Sequence, residues 1–345
     1  MSKKIKTIAK PVTILTGFLG AGKTTYLNYL LTSNPNTRYA IIENEYGEQS
    51  IDSELIVRAE DDVVELNNGC LCCTLNDNLY DILNTLFDRR DEYDEIIIEA
   101  TGVADPRGLA EPFIIHNSIK KQFPLKGIIC LIDAKLIKDQ LKETEEAIHQ
   151  ITFSDVLLVN KTDLVSEEDI NDLTRLLRLL NPLASVVLGN QNDFPMIEMS
   201  TRDIQLDAIF NQSKKRIDGN FPVQKPHHHH HHEHTKVVSH TIVFDQPFDV
   251  QQLRHRLQVY LVFQAKGLYR MKGLLWISDS EDQYLIQSVG RQLNISQKRP
   301  WETAEKRQSI IVFIGKEIQR KGIEKMLSQC LDTTFNEASK NKYTV

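Results

Sequence analysis

The chain has 345 residues, with 41 Lys plus Arg against 47 Asp plus Glu and a formal net charge of −6. That balance argues against non-specific nucleic-acid binding and against docking on anionic membranes, since both need a basic face. No stretch approaches the roughly 18 consecutive apolar residues of a membrane span, and no apolar segment follows the lysines of Met1–Pro11 as in a secretory signal. Five cysteines, three of them at Cys70, Cys72 and Cys73, do not make a disulfide framework. The expected compartment is the reducing cytoplasm, where clustered thiols point to metal or redox chemistry.

The apolar run Val12–Leu15 reads as a strand, and Tyr26, Leu27, Leu30 and Leu31 follow at helical spacing. Further strand-like runs are Tyr39–Ile42, Val63–Leu66, Glu95–Ile98, Gly127–Ile132, Val156–Val159 and Ala184–Leu188. Helical patterns at Asn76–Arg90, Leu136–Ile151 and Glu167–Leu180 lie between them. Alternation of this kind predicts an α/β domain with a mostly parallel sheet and helices on both faces. The rhythm breaks near Ser213. Lys214–Lys236 is polar, with Pro222, Pro226 and a histidine run. Strands at Val237–Phe244, Gly267–Ile277, Tyr284–Val289 and Ser309–Ile314, with helices at Val250–Phe263 and Ile323–Cys330, predict a smaller α+β domain. The expected division is a nucleotide-binding domain over 10–213, a His-rich linker over 214–236, an α+β domain over 237–333 and a polar tail over 334–345.

Gly17-Phe18-Leu19-Gly20-Ala21-Gly22-Lys23-Thr24 fits G-x-x-x-x-G-K-[ST], after a strand and before a helix. Gly17, Gly20, Ala21 and Gly22 let the backbone curl so that N–H groups meet phosphate oxygens. Lys23 reaches the β- and γ-phosphates, Thr24 can ligate Mg²⁺, and Thr25 continues the helix start. Asn160-Lys161-Thr162-Asp163 follows the strand Val156–Val159 and fits the N-K-x-D base-recognition motif. The Asp163 carboxylate only accepts hydrogen bonds. Guanine offers it two adjacent donors, whereas adenine would leave it unpaired. Lys161 can lie along the base, and Asn160 can tie loops together or reach the base. Ile96-Ile97-Ile98-Glu99-Ala100-Thr101-Gly102 is a buried strand ending in a carboxylate that can hold Mg²⁺ directly or through water, and the Gly102 N–H can sense a γ-phosphate.

Asn67-Asn68-Gly69-Cys70-Leu71-Cys72-Cys73 lies between a strand and a helix. A strand-to-helix loop of a parallel sheet opens on the same edge as the phosphate loop. Three thiols suit Zn²⁺ or Cu(I), and three ligands leave a position open for exchange, unlike a closed structural zinc site. Cys130 and Cys330 are lone cysteines in apolar segments and read as core.

In order, G-F-L-G-A-G-K-T-T, I-E-N-E-Y-G-E, N-N-G-C-L-C-C, E-A-T-G and N-K-T-D resemble the CobW-type family of metallochaperone GTPases among the P-loop NTPases. Leu268–Gly273, Gln287–Val289, Trp301 and Val312–Gly315 are similar to its C-terminal domain. The resemblance implies slow GTP hydrolysis, with Lys23, Thr24 and Glu99 at the reacting phosphate. It also implies a divalent metal at Cys70, Cys72 and Cys73, joined by Glu43, and delivery of that metal to a client metalloprotein. Zn²⁺ is the expected cargo and Co²⁺ is compatible. No glutamine stands out as the residue that orients the attacking water.

His227, His228, His229, His230, His231, His232 and His234 form a run between the two domains. Imidazoles bind Zn²⁺, Ni²⁺, Cu²⁺ and Co²⁺, so the run suits gathering or buffering metal. Its internal position sets it apart from a purification tag, which is usually terminal. Two other functions are compatible with these motifs. One is a metal buffer or sensor gated by GTP; the other is a cobalt, iron or nickel insertase for one enzyme or cofactor pathway. Competition binding tests the base assignment: GTP is bound and ATP does not compete, while Asp163→Asn shifts preference toward xanthosine nucleotides. Equal affinity of the unsubstituted chain for ATP and GTP would refute it.

Overall fold

The computed structural model describes residues 9–43, 53–59, 62–68, 75–190, 193–197, 237–303 and 305–335, without the side chains of 43, 53–59, 62–68 and 75–78. The chain forms two compact units, one carrying β1 to β8 and the other β9 to β13. Among the described residues no helix is long and apolar enough to cross a membrane.

The first unit is built on strands β1 (Val12–Gly17), β2 (Tyr39–Glu43), β3 (Ser53–Ala59), β4 (Asp62–Asn68), β5 (Glu95–Glu99), β6 (Leu125–Asp133), β7 (Val156–Asn160) and β8 (Ser185–Leu188). Their order across the sheet is β4-β3-β2-β5-β1-β6-β7-β8. The central strands are apolar nearly throughout, as burial on both faces requires. Ile96–Ile98 of β5 lie beside Val12–Ile14 of β1 on one side and Ala40–Ile42 of β2 on the other. Only β3 runs against the rest. It pairs antiparallel with both β2 and β4, so β4 regains the common direction. The C-terminal ends of β1, β2, β4, β5, β6 and β7 therefore lie at one sheet edge.

Among the described residues seven α-helices fill the connections: α1 (Lys23–Ser33), α2 (Leu75–Asp88), α3 (Pro106–Ile115), α4 (Asn117–Gln122), α5 (Ile137–Glu143), α6 (Glu145–Phe153) and α7 (Glu167–Leu180). On one face Tyr26 and Leu27 of α1 pack with Leu15, Ile41, Ile97, Ile129 and Leu131. The alternate residues Ile14, Ile96, Ile98 and Ile128 point the other way and are equally buried, so both faces are covered.

The structure corrects several local expectations. The pattern over Leu136–Ile151 is two helices, because Thr144 is extended (φ −137, ψ 146) and caps α6, with Glu145 and Glu146 at its positive end. Helix α3 is absent from the sequence reading because Pro112 sits inside it, although Asp105 caps it and Pro106 occupies its first turn. Strand β3 has only Leu55-Ile56-Val57 between charged residues, too short an apolar run to stand out.

In the second unit β9 (Val237–Phe244), β10 (Leu268–Trp276), β11 (Asp282–Val289), β12 (Gln292–Pro300) and β13 (Ser309–Lys316) form an antiparallel sheet of order β12-β11-β10-β13-β9. Strand β9 and helix α8 (Val250–Phe263) have the bounds expected from sequence; α9 (Arg320–Ser328) follows β13. Leu253, Leu257 and Leu261 of α8 and Ile323 and Leu327 of α9 share one core with Met271, Leu275, Ile311 and Phe313 of the sheet. Strand β12 escaped the sequence reading because it is polar and half-exposed, with Leu293 and Ile295 alone reaching the core.

Phe313 is fully buried and meets the Tyr260 ring edge-on at 6.4 Å. Both tryptophans, Trp276 and Trp301, lie in this unit. Denaturant unfolding of Phe313→Ala, followed by tryptophan fluorescence, is expected to show a loss of about 3–5 kcal/mol.

Candidate functional site

β1 ends at Gly17 and α1 begins at Lys23. Between them Gly17, Gly20 and Gly22 have φ of 138°, 76° and 98°. Gly22 is required twice over. Its backbone is left-handed, and a Cβ there would stand 2.4 Å from the Asn160 Nδ2. Ala21 is buried beside it, and Thr25 is exposed in the first turn of α1. The Lys23 Nζ donates to the Gly17 carbonyl at 3.0 Å and to the Phe18 carbonyl at 3.4 Å. Burial lowers the Lys23 ammonium below the ordinary lysine range, against the opposing pull of Glu99. The Thr24 hydroxyl donates to the Glu99 Oε1 at 3.2 Å, which brings the end of β5 to the first turn of α1. A hydroxyl and a carboxylate this close are the hard oxygen donors that Mg²⁺ takes.

The loop after β7 is tied to the phosphate loop. The Asn160 Nδ2 donates to the Ala21 carbonyl at 3.0 Å, and its Oδ1 accepts from the Lys161 N–H at 2.8 Å. Of the two roles the sequence allows Asn160, the structure places it in the loop tie. Lys161 is itself left-handed (φ 59°). Its Nζ donates to the Gly20 carbonyl at 2.8 Å and to Asp133 Oδ2 at 2.7 Å. Asp163 lies in a single 3₁₀ turn, Thr162–Leu164, and is exposed. The Thr162 hydroxyl donates to the Gly189 carbonyl at 3.0 Å.

Two of these partners were missed from sequence. Asp133 ends β6 and is 2% exposed; its other oxygen accepts from the N–H groups of Lys135 and Leu136. The signal was the same as for Glu99, a carboxylate closing an apolar strand. Gly189 follows β8, where the apolar run stops at Leu188-Gly189-Asn190.

The loop after β5 is held from two sides. A Cβ on Gly102 would lie 2.5 Å from Leu19 Cδ2 and 2.7 Å from the Leu19 backbone nitrogen, so the close approach to the phosphate loop requires glycine. From α6, the Gln150 Nε2 donates to the carbonyls of Gly102 at 3.0 Å and Ala104 at 3.2 Å. Next to it, His149 Nδ1 lies 3.6 Å from Asp105. Burial alone would raise the Asp105 carboxyl, but its hydrogen bonds with Arg107 outweigh that and hold it below the usual range.

Glu43 ends β2 and is the register partner of Glu99. Cys70, Cys72 and Cys73 lie outside the described residues, as do His227–His232 and His234. Among the described residues no group of three His, Cys, Asp or Glu is placed to hold a metal ion. Cys130 and Cys330 are buried core thiols, pushed up by burial to about 12 and about 11.

A phosphate loop bound to the Asn160–Asp163 loop at the C-terminal edge of a mostly parallel sheet defines a P-loop nucleotide-binding protein. Residues 11–188 match the CobW/HypB/UreG nucleotide-binding domain and residues 237–331 the cobalamin synthesis protein cobW C-terminal domain. The chain is 34% identical over 309 residues to the zinc chaperone YjiA of Escherichia coli, covering 88% of this chain and 93% of that protein. It is 35% identical over 215 residues to the zinc-regulated GTPase metalloprotein activator 1 of Schizosaccharomyces pombe, covering 60% of this chain and 52% of that protein. The crystal structure of Zn(II)-bound YjiA GTPase from E. coli superposes with a TM-score of 0.63 at 30% identity, covering 94% of this chain and 99% of that one. The chain belongs to the CobW/HypB/UreG family of P-loop GTPases.

Asp133→Asn can keep the acceptor for the Lys135 and Leu136 N–H groups while replacing the charged acceptor beside Lys161 with an amide donor. Losing this charge-assisted hydrogen bond is expected to weaken GDP binding about tenfold. Titration with a fluorescent GDP analogue checks this, and unchanged affinity would show that the Asp133–Lys161 pair does not prepare the nucleotide site.

Proposed function

We propose that this protein is a GTP-hydrolysing metallochaperone that binds zinc at Cys70, Cys72 and Cys73 with Glu43 and passes it to a client metalloprotein under nucleotide control. The observation that carries the reading is the pairing of Glu43 with Glu99 on neighbouring strands. It sets the residue proposed for the cargo metal one strand from Glu99, whose carboxylate accepts from Thr24. The cysteine segment follows β4, whose C-terminal end shares that edge.

In this reading Gly17–Thr25 cradle the phosphates, and Asn160, Lys161 and Asp163 form the guanine loop. Thr24 and Glu99 hold Mg²⁺, which would offset charge on the β- and γ-phosphates. Gly102 senses the γ-phosphate. When that phosphate orders the loops at this edge, Glu43 and the thiols converge on the metal; hydrolysis separates them. Zinc is favoured by the thiol-rich ligand set and by the zinc named for the E. coli and S. pombe relatives; Co²⁺ fits the same ligands. His227–His232 and His234 gather the metal before transfer. A reducing cytoplasm, where the thiols stay free, suits this cycle.

Directed transfer needs a nucleotide-dependent affinity change of about 5- to 150-fold. Competitive zinc titration against a chelating dye, with a non-hydrolysable GTP analogue and with GDP, is expected to show the tighter site in the GTP state. Equal affinities would favour a buffer over a chaperone.

A further inference from the structure

We infer that Gln150 is a positioning residue for GTP hydrolysis: from α6 it fixes the turn after β5 so that the Gly102 N–H is held for the terminal phosphate. The inference rests on the nucleotide reading above and adds a residue that touches neither nucleotide nor metal in that reading.

Gln150 is 1% exposed. A buried amide is costly unless its hydrogen bonds are made. The Gln150 Nε2 spends its donors on one short segment, the carbonyls of Gly102 and Ala104, at 3.0 and 3.2 Å. Neither bond belongs to a helix or strand, so neither is needed to complete an element. A further link tightens the turn, from the Ala104 N–H to the Thr101 carbonyl at 3.1 Å.

The reason for a clamp lies in the residue it holds. Glycine is the most permissive residue, and only glycine fits at 102 because a Cβ would strike Leu19. Left alone, the backbone at 102 could swing its N–H through a wide range. Leu19 bounds it on the phosphate-loop side and Gln150 anchors its carbonyl from α6. The Gly102 N–H donates to no other described residue. It is thus oriented in advance and kept for an acceptor that arrives with the nucleotide. Such preorganised donors act on the charge that develops at the reacting phosphate.

GDP lacks that phosphate, which makes the test selective. Full-length Gln150→Met keeps an unbranched side chain of similar length and removes both donors. Calorimetric titration is expected to give GDP affinity within about twofold of the unsubstituted chain and affinity for a non-hydrolysable GTP analogue about 5- to 20-fold weaker, the range of one or two hydrogen bonds. The hydrolysis rate at saturating GTP should fall about tenfold. Should the methionine variant not fold, Gln150→Glu retains size and polarity, turns the donor into an acceptor facing two carbonyls, and carries the same expectation. Equal weakening of GDP and the GTP analogue would reduce Gln150 to a structural role and overturn the inference. So would unchanged discrimination and rate. Failure of the unsubstituted chain to bind guanine nucleotides would instead remove the nucleotide reading itself, and is read on that protein alone.

Discussion

The site depends on the amide of Asn160. β1 and β7 are not neighbours in the sheet, since β6 stands between them. Their loops nevertheless meet, because Asn160 reaches across to the Ala21 carbonyl and fills the space a Gly22 Cβ would need. Lys161 repeats the tie one residue on, spanning the Gly20 carbonyl and the buried carboxylate of Asp133 at the end of the intervening strand. The Asn160–Asp163 loop and the phosphate loop are thereby tied directly to one another. Preorganisation of that kind lowers the ordering cost of binding.

The second constraint is directional. A sheet with every strand parallel needs a crossover between each pair of neighbours. Here β2, β3 and β4 instead follow one another antiparallel. One reversal would have carried the end of the next strand to the far edge, whereas two reversals return β4 to the nucleotide edge. β4 nevertheless lies four strands from β1, about 19 Å at the usual strand spacing. Between them in the sheet, β5 and β2 end side by side at Glu99 and Glu43.

The loop after β5 sits where these constraints meet. It touches the phosphate loop at Leu19 and Gly102, receives Thr24 at Glu99, and is braced by His149 and Gln150 from one helix. Helix α6, which starts afresh at Thr144, carries Gln150 on its buried side.

The class of site can be read from short stretches of the chain. The glycine spacing of 17–22 with Lys23 and Thr24, the Asn160–Asp163 quartet and the carboxylate closing Glu95–Glu99 are each contained in a few consecutive residues, so their chemistry is legible without a fold. The apolar runs of β1, β5, β6 and β7 likewise announce a buried sheet. What those motifs do to one another depends on the fold. Asn160 lies 139 residues from Ala21, and Gln150 48 residues from Gly102. Asp133 finds Lys161 28 residues away, just past the end of the next strand. Hydrogen bonds at such separations leave no local periodicity, because the residue type on each side, a buried amide or a strand-end carboxylate, is equally compatible with many partners until the sheet order selects one.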